Sequence, residues 1–94
     1  MKEGNCQELI DVIKFVMLGE NLPTLRGIAG EWKNLVITIY FYNDGEVTEE
    51  IAEAYSCIAT EVLAHFDYAT IDEHIIRRDI PLTLPEHDHW ALKK

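Results

Sequence analysis

A chain of 94 residues with 48% hydrophobic content and a net charge of −9 is long enough to bury the core of one domain and too short for two. Its longest apolar run, Leu35 to Phe41 with Thr38 inside it, falls far short of the ~20 residues of a membrane span, and Met1 to Asn5 lacks the basic-then-apolar pattern of an export signal. An excess of acids argues against a nucleic-acid or anionic-membrane surface, because both need positive charge to release counterions or meet headgroups.

Asn5 can cap a first helix with Glu8 at the capping-box spacing, and Cys6, Leu9, Ile10, Ile13, Val16 and Met17 then share one apolar face. Gly19 is a natural stop. Val12, Phe15 and Leu18 fall outside that stripe, where they mark either a broader core contact or a partner or homodimer contact. Leu22 to Lys33 reads as an irregular strand, which Pro23, Gly27 and Gly30 suit to a sheet edge. Trp32, Lys33 and Asn34 read as the turn that follows.

Leu35 to Tyr42 is β-branched and aromatic throughout, and Asn43-Asp44-Gly45 ends it, the pattern of a central strand. Its odd positions, Leu35, Ile37, Ile39 and Phe41, are wholly apolar and should meet the helices. The even positions, Val36, Thr38, Tyr40 and Tyr42, suit a partly wet face. Thr48 caps a second helix with Glu49 and Glu50 in the first turn, where the helix dipole favours anions. Its buried stripe is Ile51, Tyr55, Ile58, Ala59, Val62 and Phe66.

Ala69 to Ile80 reads as a third strand, and Pro81 and Pro85 bracket a bend before a short strand at His89 to Lys93. The expected fold is therefore one α+β domain over residues 1–94, in the order α-β-β-α-β-β. Two helices pack on one face of a four-stranded, mainly antiparallel sheet built from two hairpins, with the other face open.

Charge is unevenly distributed. Residues 35–76 hold nine acids and no Lys or Arg, so the whole net charge lies there. On the second helix Glu49 and Glu53 lie opposite the apolar stripe with Glu50 and Glu61 on its flank, and Asp44 and Glu46 sit just before it. These form an acidic ridge beside Tyr42 at the end of the central strand, with no base in the segment to relieve its repulsion. A solvated helix face is the ordinary account of such charges; a basic partner is the functional one.

Chemistry-bearing motifs are weak. Cys6 and Cys57 are too few for a disulfide framework and read as reduced thiols, as befits a cytoplasmic protein. His87 and His89, with an acid or His74, are a conceivable Zn²⁺ set, but no further ligand is implied and a polar loop is the plainer reading. His65 reads as a dipole-complementing or half-buried residue more readily than as a catalytic base. Strand alternation allows Asp72, His74 and Arg78, or Glu73 and Arg77, to act together, as charge pairing more readily than as acid and base. Neither a nucleophile motif nor a phosphate loop is present, so no catalytic residue and no cofactor is expected.

Phe41 to Glu50, then Ile58 to Val62, then Ile75 to Pro81 with Leu84-Pro85 and Trp90 resemble small acidic bacterial immunity proteins of polymorphic-toxin loci, including contact-dependent growth inhibition systems. The similarity covers about the last three-fifths of the chain. It implies a cytoplasmic antitoxin that binds a cognate toxin domain, with no catalytic residues to carry over. An acidic surface that imitates phosphate would suit a basic nuclease toxin. The expected contact set is Asp44, Glu46, Glu49, Glu50, Glu53, Glu61, Tyr40 and Tyr42, with Asp72 and Glu73 as second choices. Two other classes predict different surfaces: a specific chaperone or adaptor binding through the apolar helix face, and a small metal-dependent enzyme.

Overall fold

The computed structural model describes residues 5–66 and 68–94. Helix α1, Cys6–Met17, begins where Asn5 Oδ1 accepts the Glu8 N–H at 2.7 Å, satisfying one of the four donors a helix start leaves unpaired. It ends at Leu18, after which Gly19 adopts φ +84°. Leu9, Ile10, Ile13 and Val16 are buried on its inner face, and Cys6, Val12 and Met17 pack partly against the core.

Strands β1, Leu25–Lys33, and β2, Val36–Asn43, form an antiparallel hairpin. The turn is Asn34–Leu35, with Asn34 at φ +57°, a region asparagine tolerates better than most residues. Trp32 is thus a strand residue and not part of the turn, and its indole meets Phe66 edge-on at 4.7 Å. Leu35, displaced into the turn, is 40% exposed, whereas Ile37, Ile39 and Phe41 are fully buried beneath the helices.

Helix α2, Glu49–Leu63, starts at Thr48, whose Oγ1 accepts the Ile51 N–H at 3.2 Å. Tyr55, Ile58, Ala59 and Val62 are its buried residues, and Tyr55 stacks on Phe41 at 5.1 Å. Strand β3, Thr70–Arg77, then pairs parallel to β2, and β4, Trp90–Lys93, pairs antiparallel to β1. The sheet order is β3-β2-β1-β4.

This order corrects two expectations. The strands β3 and β4 do not form a hairpin; they occupy opposite edges and run in the same direction, so the chain between them must cross the sheet. The strand β1 is interior and not an edge. Its glycines mark close approaches: a Cβ on Gly30 would lie 3.0 Å from Leu9 and 3.1 Å from Ile13, and one on Gly27 would lie 2.9 Å from the Trp90 ring and 3.0 Å from the Leu92 carbonyl. The α+β layout itself stands as expected, two helices on a four-stranded sheet with two of its three pairings antiparallel.

The crossing segment, Arg78 to His89, also packs on the face opposite the helices, against β1 and β2. A bulge at Arg26 in β1 turns that side chain and Gly27 toward it. The Arg26 guanidinium donates to the carbonyls of Arg78 and Leu82 at 2.8 and 2.7 Å, and Leu84 is buried against the flat backbone at Gly27.

Candidate partner interface

The acidic turn between β2 and α2 is held from beneath by Asn43, which is fully buried. Its Oδ1 accepts from the hydroxyls of Tyr55 at 2.6 Å and Thr24 at 2.8 Å, while Nδ2 faces the carbonyls of Asp44, Gly45 and Glu46 at 3.3–3.5 Å. Burial raises the Tyr55 phenol above its ordinary range and keeps it a donor. The chain after β3 closes the turn from outside. Asp44 Oδ1 accepts the Ile80 N–H at 3.0 Å, and Asp79 Oδ1 accepts the Gly45 N–H at 2.7 Å.

Arg77 grips Asp79 through two nitrogens, with contacts of 3.0–3.2 Å. Those hydrogen bonds, helped by the Gly45 N–H, hold the Asp79 carboxyl below its usual range. Asp79, then Glu46 and Asp44, push the Arg77 guanidinium up. The acids of the turn therefore do have a cation beside them, delivered from the far end of β3, where the sequence segment alone contains none.

The helix α2 supplies no such relief of its own, for it contains no Lys or Arg. Glu49, Glu50 and Glu53 are exposed and, with Thr48, line a shallow depression of about 410 Å³. Glu61 is exposed toward the far end of the same helix, with the Cys57 thiol also at the surface. Asp44 is half-buried and Glu46 exposed at the head of this ridge.

The remaining expected contacts lie elsewhere. Tyr42 is 2% exposed, beneath His87 and Trp90, with its hydroxyl 2.6 Å from His87 Nε2. Burial raises its phenol above the ordinary range as well. Tyr40 is half-buried on the same face, stacked on His74 at 5.2 Å with His87 at 4.6 Å. Asp72 pairs with His74 at 3.1 Å on that face, opposite the helices. Glu73 points the other way and accepts from Ser56 of α2 at 2.7 Å, while Arg77 turns to Asp79. His87 is thus engaged by a tyrosine, and among the described residues no group of three or more His, Cys, Asp or Glu side chains is arranged to hold a metal ion.

The sequence reading missed Asn43 and Asp79, and paired Arg77 with Glu73 where the structure pairs it with Asp79. Asn43 stood in a turn motif, and nothing local announces that its amide is buried. The Arg77 to Asp79 spacing was visible, but its alignment with residues 44–46 requires β3 to run parallel to β2.

A comparison with protein families finds that the MafI2 immunity-protein family matches residues 6–92. The chain belongs to this family. The match takes in α1 and β1 as well as the later segments that carried the resemblance, and reaches into every element of the fold. As a MafI2-family immunity protein it is an antitoxin, and its partner is a cognate toxin domain. Comparison with curated proteins gives no match. Among the described residues, no helix is long and apolar enough to cross a membrane.

Proposed function

We propose that this MafI2-family protein neutralises a basic nuclease toxin by presenting the carboxylates of α2 and the turn before it to the toxin's cationic surface. The observation that carries the reading is the row Glu49, Glu50 and Glu53, exposed around one depression on a helix without a single Lys or Arg. Uncompensated carboxylates on a rigid helix resemble a run of phosphates and accelerate encounter with a basic groove. Glu61 extends the row, and Asp44 and Glu46 form its head, fixed in place by Asn43, Asp79 and Ile80. Tyr40 and Asp72 lie on the opposite face, so they enter the contact only with a partner that reaches round the β3 edge; Tyr42 supports the fold beneath His87.

The first test is recovery of the tagged protein with its toxin domain, together with protection of cells expressing that domain. Binding kinetics then address the surface. Changing Glu49, Glu50 and Glu53 together to Lys should slow association about ten-fold or more in low salt and flatten its salt dependence. An association rate equal to the parent's in low salt would remove α2 from the interface.

A further inference from the structure

Beyond the toxin contact, we infer that the outer edge of β1 receives an extended, lysine- or arginine-bearing segment of a partner protein, added antiparallel to β1 in line with β4. The inference stands on a cleft unrelated to the α2 ridge and independent of the reading above.

Strand β4 pairs with β1 only from Gly27 to Ala29, and the last main-chain contact is the Gly30 N–H donating to His89 O at 3.1 Å. Before that point in the chain, residues 86–88 diverge from β1, drawn toward the sheet face by the contact of His87 with Tyr42. Glu31, Trp32 and Lys33 remain paired to β2 on one side and have no β4 partner on the other. The divergence opens a cleft of about 580 Å³, lined on one wall by Gly30 to Lys33 and on the other by Glu86 to His89, with Cys6 at its end. That volume lies within the ~300–1,000 Å³ range of ligand clefts.

Two properties select the occupant. Strand alternation puts the backbone groups of Trp32 on the same outer side as the Gly30 N–H, and the Trp32 carbonyl there meets the Cys6 thiol at 3.8 Å, a long and weak contact that a peptide N–H would improve on. An open strand edge is a template for another strand. The second property is charge: Glu31 and Glu86 are exposed and Asp88 lies at the cleft with them, and among the described residues Lys33 is the one Lys or Arg lining it. Acidic and apolar segments are disfavoured there, and a basic extended one is matched in both main chain and side chains.

The test uses the full-length protein, labelled with ¹⁵N, and two blocked pentapeptides of equal charge. One alternates valine with lysine; the other alternates proline with lysine and cannot donate from its proline positions. The valine peptide should shift the amides of Glu31, Trp32, Lys33 and residues 86–89 saturably, with Kd of about 1 mM or tighter, and the proline peptide should bind at least about five-fold more weakly. Charge reversal at two exposed positions, Glu31→Lys with Asp88→Lys, should weaken the valine peptide by a similar factor. Equal binding of both peptides, shifts confined to α2, or no shift at about 5 mM peptide would each overturn the inference. Toxin recovery, measured separately, reports on the immunity reading whichever way the peptides fall.

Discussion

Asn43 ends a central strand and starts an acidic turn, and both tasks follow from one buried amide. Two hydroxyls donate to its oxygen while three successive carbonyls face its nitrogen, so the turn is held from inside and the carboxylates of Asp44 and Glu46 stay at the rim. Removing a buried donor from such a group costs more than the hydrogen bond contributes net, because the acceptor has already been taken out of water. Tyr55→Phe should therefore lower stability by about 1–2 kcal/mol, and Asn43→Ala by about 2–4 kcal/mol, as measured by urea unfolding. Tyr42 and Tyr55 have phenols raised by burial, so the folded state holds their protons more tightly than the unfolded chain does. Stability from this source is complete below about pH 10 and declines as pH rises past it; Tyr55→Phe should shallow the alkaline decline. Asp79 behaves with the opposite sign. Its carboxyl is held low by Arg77, so its contribution is present above about pH 4 and lost as pH falls through the lowered folded value. The stability gap between the parent and Asp79→Asn should close on acidification below that point.

Among the elements, α1, β2 and α2 announce themselves and β1 misleads. A nine-residue strand with two glycines reads as an edge because glycine has no side chain to pack and weakens a strand interior. Here the missing side chains let α1 close on one face at Gly30, and let the Trp90 ring and the backbone of the neighbouring strand β4 approach at Gly27. The two positions should respond unequally to alanine. At Gly30 the neighbours are the flexible ends of Leu9 and Ile13, whereas at Gly27 one neighbour is the backbone carbonyl of Leu92. Gly27→Ala should thus cost about 1–3 kcal/mol and Gly30→Ala less, with hydrogen exchange rising first at Trp90 to Lys93 in the Gly27 variant. Equal losses, or exchange unchanged in β4, would show that β4 adapts to the added methyl group.

At the scale of the molecule, the two sheet faces carry different work. The helices seal one face around a single core and hold α2 with its carboxylates outward, while the segment from Arg78 to His89 packs on the other. The acids consequently divide into two populations. Those at the turn are tied to backbone N–H groups and to Arg77, and those of α2 are free of any cation on their own helix. Charge reversal should separate them. Glu49, Glu50 and Glu53 changed together should alter toxin association with little loss of stability, since exposed charges contribute little to folding. Asp79→Asn should loosen the turn and raise the toxin dissociation rate while leaving the low-salt association rate near the parent's. Stopped-flow association and dissociation, measured on both variants, check this division.

What the sequence determined by itself was local or summed: helix caps at Asn5 and Thr48, the apolar stripes of both helices, the strand from Val36 onward, the concentration of acid in residues 35–76 and the likeness to immunity proteins. Caps and periodicities are written in residues three or four apart, and net charge needs no geometry at all. Only the tertiary structure decided which strands are neighbours, since a twelve-residue connection between β3 and β4 admits either a hairpin or a crossover. The parallel pairing of β2 with β3 was equally undetermined, and on it depend the cation beside the acidic turn, the burial of Tyr42 and the open edge of β1. Each of those arises from residues more than thirty positions apart, whose meeting is fixed by the direction of strands and not by any pattern along the chain.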